Sequence, residues 1–398
     1  MNIEKPKAAS VKMSTENKTS HTTQSLEESL EKEPLRLMKG NEACAEAAIR
    51  AGCRAYFGYP ITPQNELAAY MSKRMPQVEG VFVQAESEIS AINMVYGASA
   101  AGFRALTSSS SPGVALKAEG ISYLAGADLP SVIINISRGG PGLGTIQPSQ
   151  GDYFMATKAP GHGDFKCLVY APASVQEMAD MVTEAFNKSD QYRMPAIILA
   201  DGMLGQMMEP VSLPAMPNDQ KLQNNRDKPW ALTGTLTASK DDNHSFRSPR
   251  EINSLHLVPE ELEAANLDRF ARYEHIIEHE QRAHHYLTDD AEIIVVAYGS
   301  TGRTVQTSID IARAAGIKAG LLRPQLVWPF PNAAIEDLIL HGNLRAILSI
   351  EMSMGQMVED VLLATCGKVP VATYNRTGGF VPDPVIVAEK IKELYDNN

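Results

Sequence analysis

Residues 81–112, VFVQAESEISAINMVYGASAAGFRALTSSSSP, decide how the rest of the chain is read. Val81 to Val83 form a short apolar strand, an acidic turn follows, and a helix leads into a second strand and a serine-rich loop. The helix rests on period: Ile89, Ile92, Val95 and Tyr96 recur at spacings of three and four, with no proline between them. Its far half, Gly97-Ala98-Ser99-Ala100-Ala101-Gly102, is made of small residues that let another backbone pack closely, at a cost in helix propensity. Glu86 and Glu88 stand at its start. A carboxylate there complements the positive end of the helix dipole. That explanation suits Glu86; for Glu88 the flanking stretches add a chemical one.

Working outward, GNEACAEAAIRAG (Gly40 to Gly52) is a helix of alanines and glutamates stopped by glycine, and AYFGYPITPQNELAAYMSK is strand, loop and helix. Pro60 and Pro63 fix that loop and present the Thr62 hydroxyl. SVIINIS (Ser131 to Ser137), FKCLVYAP and PAIILAD are apolar runs of buried-strand type, the last two separated by a helix from Val175 to Asn187. Such alternation predicts an α/β fold, a parallel sheet with helices on both faces. Ligands gather at the carboxyl ends of the strands, where YPITP, Ser108–Pro112 and Arg138–Gln150 lie.

From Pro210 to about Asp290 the alternation breaks. Four prolines punctuate a polar connector, and PEELEAANLDRFARYEHIIEHEQRAHHYL reads as a charged surface helix. It carries His275, His279, His284 and His285. His275 and His279 lie four apart, a metal-binding spacing, but no third ligand is suggested and a solvated face is expected. At Ala291 a second α/β domain begins. Its turn Gly299-Ser300-Thr301-Gly302 is either a phosphate cradle or an ordinary tight connection, and it lacks the full G-x-G-x-x-G. The expected domains are therefore a disordered arm (1–34), a first α/β domain (35–215), a connector with a surface helix (216–290) and a second α/β domain (291–398).

The chain has 398 residues, 44% hydrophobic and 21% charged, with a net charge of −11. Such an acidic surface argues against nucleic acid and anionic membranes, and no stretch has the length of a membrane span. Four scattered cysteines without C-x-x-C spacing argue against an iron–sulfur or zinc site in this chain and for a reducing compartment, the cytoplasm.

GYPITP (58–63), QAESEISAINMVYGASAAG (84–102) and RGGPGLGT (138–145) together resemble one family. It is the subunit of 2-oxoacid:ferredoxin oxidoreductases that carries the pyrimidine-binding domain, nearest the branched-chain (3-methyl-2-oxobutanoate) type and then the 2-oxoglutarate type. WALTG (230–234), RPQLVWPFP and EMSMGQM extend the likeness, which runs from Leu35 to Asn398. The resemblance implies a thiamine diphosphate-binding, pyrimidine-type domain followed by a domain like the C-terminal one of transketolases. It implies thiamine diphosphate with Mg²⁺ shared with a diphosphate-domain subunit, and a small gamma-type subunit and a ferredoxin-like subunit as further partners. Iron–sulfur clusters would sit on partners only, with ferredoxin, coenzyme A and a 2-oxoacid as reactants.

The same match assigns roles. The family's glutamate lies nine residues before a helix glycine, and nine before Gly97 is Glu88; its carboxyl would share a proton with the pyrimidine N1′. Thr62, with Pro60 beside it, matches the threonine that reaches cofactor or substrate, the alternative being a cap of the next helix. Arg138 matches the arginine facing the 2-oxoacid carboxylate, which suits a planar fork; the alternative is a surface salt bridge. Relatives of the 2-oxoglutarate type read R-G-G-P-S-T-G, whereas Gly142 and Leu143 stand here, which tilts the expectation toward an apolar substrate tail. Asp201-Gly202 followed by Asn224-Asn225 imitates the Mg²⁺–diphosphate motif, but Pro210, Pro214 and Pro217 forbid its helix. Two rival readings remain: a self-contained nucleotide-dependent oxidoreductase using the Gly299 turn, and an inert structural subunit of such a complex.

Overall fold

Strands Ser131–Ser137 (β5) and Pro195–Asp201 (β7) are buried at every residue, as their unbroken apolar composition requires. They pair in parallel from Ser131 against Pro195 to Ser137 against Asp201 and form the middle of the larger sheet. A computed structural model describes residues 34–219, 222, 228–232 and 251–398 of the chain. The arm before residue 34 and the Asn224-Asn225 pair lie outside the described residues.

The other strands are Arg36–Lys39 (β1), Ala55–Gly58 (β2), Val81–Gln84 (β3), Ala105–Ser109 (β4), Leu168–Tyr170 (β6) and Met208–Val211 (β8). Ala283–Tyr286 (β9), Ile293–Val296 (β10), Ala319–Pro324 (β11), Leu326–Trp328 (β12), Ala346–Glu351 (β13) and Val371–Asn375 (β14) complete the set. Among the described residues they form a seven-stranded sheet ordered β12-β6-β7-β5-β4-β2-β3, a five-stranded sheet ordered β14-β13-β10-β11-β9, and a β1–β8 ribbon. In the larger sheet every pairing is parallel except β12 on β6. The loops after β2, β3, β4 and β5 therefore share one edge, as the strand–helix alternation predicts.

The helix Glu88–Ala100 is capped by Ser87, whose hydroxyl accepts from the Ser90 amide. The facing helix Ser111–Gly126 packs closely on its first half, and backbone also reaches its small-residue half, where Leu232 N donates to Ala100 O at 2.8 Å and Ser99 Oγ donates to Pro130 O at 2.6 Å. A Cβ at Gly120 would collide with Ile92, whereas nothing lies within 4 Å of one at Gly97.

Two strands differ from the sequence reading. The surface helix ends at His279, so His284 and His285 lie on β9, which pairs antiparallel with β11. β12 leaves the second sheet's segment and joins the first sheet, where Trp328 packs edge-on against Tyr273. The sheets are further joined through Gln150. Its amide donates to Tyr298 O at 2.9 Å and accepts from Thr301 Oγ1 and Met352 N, both at 2.8 Å. No described helix is long and apolar enough to cross a membrane.

Candidate active site

Glu88 is the first residue of its helix and is 6% exposed, yet its carboxyl makes no hydrogen bond among the described residues. Facing it is the first turn of the helix Ser111–Gly126. There a Cβ on Gly113 would overlap Ser109 Oγ and stand 2.7 Å from Glu88 Oε1. Only glycine leaves that space open. Among the described residues the hydroxyls of Ser109 beside it and Ser110 next along are buried without a partner, as are those of Thr107 on β4 and Ser137 at the end of β5. Buried polar groups are ordinarily satisfied, so a cluster of orphans on one loop edge marks a place where something else supplies the bonds. Glu86, by contrast, is exposed and accepts from Ser90 Oγ, which holds its carboxyl below the ordinary value.

Thr62 and Arg138 are brought together. The Arg138 guanidinium donates to Thr62 O at 3.0 Å and to Leu143 O at 3.2 Å, while its Nε is buried without a partner among the described residues. Arg138 is 9% exposed and makes no ion pair among the described residues, so the surface-salt-bridge alternative does not describe it. Thr62 Oγ1 accepts from the Asn65 side chain at 3.2 Å. The helix that follows has Gln64 at its N-cap and no side-chain cap, so Thr62 is not its cap either. Pro60 is exposed at the outer side of the loop. The loop after Arg138 curls so tightly that a Cβ on Gly144, at φ +59°, would strike Gly139 O. Arg138 lines a cavity of about 410 Å³ between the two sheets' loops, with Ser111, Ser149, Asp152, Met352 and Gln356. Leu143 is not in it: its side chain is 85% exposed, and only its carbonyl meets Arg138.

Ser111 links the two clusters. Its hydroxyl accepts from the Arg138 amide at 2.9 Å and donates to Asp152 at 2.6 Å, two residues before Gly113 faces Glu88.

Lys117 was not singled out by sequence reasoning. It is wholly buried on the same helix, and Nζ donates to Ser108 O at 3.0 Å. Burial pulls its pKa down to about 7, opposed by the charge of Glu88. The available signal was its register: Lys117 falls on the stripe of buried Val114, Ile121 and Leu124.

The other candidates are accounted for by the protein itself. Asp201 caps the helix Gly202–Gln206 by accepting from Met203 N and Leu204 N and also accepts from Ser300 Oγ. Burial raises its pKa. With that five-residue helix followed by β8, Asp201 is a structural cap. Gly299, Ser300, Thr301 and Gly302 are all buried, and their turn is filled by Asp201 and Gln150. A cavity of about 590 Å³ nearby is lined by Arg323 and Arg303, each already paired to a carboxylate, Glu177 and Glu209, at 2.6 Å. On the surface helix, Glu278 adds the third candidate ligand that the sequence did not suggest, its ligand atom within 4.8 Å of those of His275 and His279, all exposed.

Residues 46–277 match the family described as pyruvate flavodoxin/ferredoxin oxidoreductase, thiamine diphosphate-binding; residues 291–386 match pyruvate:ferredoxin oxidoreductase core domain II. Ketoisovalerate oxidoreductase subunit VorB of Methanothermobacter thermautotrophicus is 46% identical, over 90% of this chain and 97% of its own. 2-Oxoglutarate synthase subunit KorA of Methanothermobacter marburgensis is 32% identical, over 89% and 97%. Among solved structures, the 2-oxoglutarate:ferredoxin oxidoreductase of Magnetococcus marinus superposes with TM-score 0.77 at 24% identity, covering 91% of this chain and 65% of that one. A split-gene transketolase shares the fold over 90% of this chain, with TM-score 0.53 at 12% identity. The α/β fold is thus thiamine diphosphate-binding and transketolase-like, and the chain belongs to the 2-oxoacid:ferredoxin oxidoreductase family.

Proposed function

We propose that this chain is the pyrimidine-side half of a split thiamine diphosphate site, in an enzyme that oxidatively decarboxylates a branched-chain 2-oxoacid. Coenzyme A would take the acyl group, and clusters on partner chains would carry two electrons, singly, to ferredoxin. The observation that carries this reading is the buried, unpartnered Glu88 carboxyl beside orphaned serine hydroxyls and the space kept by Gly113. Those residues fit a flat ring with one ring nitrogen to be held. When bound, thiamine diphosphate would supply the nucleophilic carbon that attacks the 2-oxoacid carbonyl, with its own 4′-amino group as the base. Glu88 holds the proton at N1′ that makes this amino group basic, and its burial excludes competing water. Thr62 and Pro60, on the loop after β2, are the residues that would reach toward the ring.

Arg138 orients the substrate. Two of its N–H groups are bonded to backbone carbonyls, which fixes the plane of the fork at the wall of the cavity that a substrate carboxylate would enter. The branched-chain preference is supported by the greater likeness to the ketoisovalerate subunit than to the 2-oxoglutarate one. The exposed Leu143 beside Arg138 offers an apolar surface that a bound tail or a partner chain would cover.

Mg²⁺ and the diphosphate belong to a diphosphate-domain subunit, since Asp201 is engaged as a helix cap. A small gamma-type subunit and a ferredoxin-like subunit complete the assembly, which works in the cytoplasm. The test is ferredoxin reduction by the assembled complex on a panel of 2-oxoacids with coenzyme A. The expected result is a higher kcat/KM for 3-methyl-2-oxobutanoate than for 2-oxoglutarate; the reverse order overturns the substrate reading.

A further inference from the structure

We propose that Lys117 is a positioning residue for Glu88, presenting a buried cationic group to its carboxyl from the facing helix. The inference deepens the reading of Glu88 given above and rests on it. The geometry starts with two glycines. Gly113 lies over Glu88 and Gly120 over Ile92, so one face of the helix Ser111–Gly126 runs along one face of the helix Glu88–Ala100. Lys117 is four residues after Gly113 and three before Gly120, so its side chain leaves that same face between them. Glu88 and Ile92 are likewise one turn apart.

The ammonium end is held in a dry, defined place. Nζ makes one hydrogen bond among the described residues, to Ser108 O at the end of β4. Ser108 is fixed in turn: its hydroxyl accepts from Tyr56 at 2.8 Å and donates to Gln64 at 2.6 Å. An ammonium has three donors, so the remaining two lack acceptors in a wholly buried site. Such a site favours the neutral amine unless an opposite charge faces it. Glu88 is that charge. Among the groups packed around Lys117, Tyr56 on β2 titrates far above neutrality because of burial, and Gln64 and Ser108 carry no charge.

The lowered pKa of Lys117, about 7, places the change of state in the neutral range. As an ammonium, Lys117 favours the Glu88 carboxylate that accepts from the ring nitrogen. As an amine it no longer presents that charge. Across this range Lys117 therefore tunes how the N1′ proton is shared, without touching the ring. A solvent-exposed lysine would not do this, because water would screen it.

The linkage gives a readout independent of turnover. Between about pH 7 and the ordinary lysine value of 10.5, the unfolded chain binds a proton that the folded chain does not. Stability contributed at this site therefore rises with pH across that window and is lost as pH falls to 7. The test is urea denaturation of the full chain from pH 6 to pH 10.5, for the parent, Lys117→Met and Glu88→Gln. It is joined by the kcat–pH profile of the assembled enzyme for the parent and Lys117→Met. We expect Lys117→Met to flatten the rise in stability and to move the acid limb of the kcat profile by about one pH unit or more. Glu88→Gln, which keeps the lysine but removes its counter-charge, should move the lower edge of the stability window below pH 7. Unchanged windows in Glu88→Gln, or an unmoved kcat profile in a folded Lys117→Met, overturn the inference. The two readings separate cleanly. Full turnover in Glu88→Gln overturns the role of Glu88 itself, whereas loss of turnover there with no shift in either lysine readout overturns Lys117 alone.

Discussion

Two strand-to-helix turns in this chain are built from small and hydroxylated residues, and they end differently. At the Gly299 turn each polar group has a protein partner: Ser300 meets Asp201, Thr301 meets Gln150, and Gln150 also bonds Tyr298 O and Met352 N. Among the described residues, the hydroxyls of Ser109 and Ser110 at the Ser108–Pro112 loop have none, and the carboxyl of Glu88 that faces them makes no hydrogen bond. Both turns sit at carboxyl ends of parallel strands, and both attracted a ligand reading from the sequence. The first is a joint between two sheets. The second is a site with bonds left to make. Unmet polar demand, more than the outline of a motif, separates the two.

Substitutions can sharpen or break that contrast. The largest effect is expected at Glu88. Glu88→Gln should preserve assembly and lower kcat of the complex by about 100-fold or more, because an amide cannot share the N1′ proton as a carboxyl does. Stopped-flow or steady-state ferredoxin reduction measures it, and near-parental kcat would place the chemistry elsewhere.

Arg138→Lys comes next. It exchanges a fixed fork for a point charge, and loss of one or two charge-assisted bonds worth roughly 1.5–3 kcal/mol each should appear as raised KM. An unchanged kcat/KM would return Arg138 to a purely structural role in bracing Thr62 and Leu143.

Gly113→Ala is subtler. The added methyl would overlap Ser109 Oγ and approach Glu88 Oε1 to 2.7 Å. Overpacking of this kind costs about 1–3 kcal/mol of stability. Here it should also weaken cofactor binding in the complex, read by titration of thiamine diphosphate. A stability loss without a binding loss would show that the space is not a ligand's.

The smallest effect is expected at the joint. Ser300→Ala removes one bond to buried Asp201 and should cost about 1–3 kcal/mol in urea denaturation. It should leave cofactor titration unchanged. A change in phosphate or nucleotide binding there would revive the phosphate reading of the turn.

Much of the fold is legible in the sequence itself. The strands β5 and β7 follow from unbroken apolar runs, and the helix from Glu88 follows from the period of Ile92 and Val95, both buried. Arg138 and Thr62 stood in separate loops, and the parallel sheet order is what brings them into contact. What stayed hidden depended on long-range partners. A lysine in SPGVALKAEG reads as solvated, and only the facing helix shows Lys117 to be buried. β12 is three residues long, and its choice of sheet is decided by the free edge of β6 rather than by its own composition. His284 and His285 continue a helical pattern until β11 offers β9 a ladder of hydrogen bonds. Leu143, expected beside the substrate, turns outward because its backbone, held by Arg138, fixes the loop.

The split site is tested most directly by calorimetry of Mg²⁺ and thiamine diphosphate on the purified chain, with and without the diphosphate-domain subunit. The metal and diphosphate carry most of the cofactor's charge, so the chain that neutralises them supplies most of the affinity. Glu88 alone offers one hydrogen bond to a neutral ring, about 1 kcal/mol net. We expect no measurable heat of binding for the isolated chain, and binding restored together with decarboxylation on mixing. Micromolar binding by the isolated chain would contradict the split site and return Asp201 to consideration as a metal ligand.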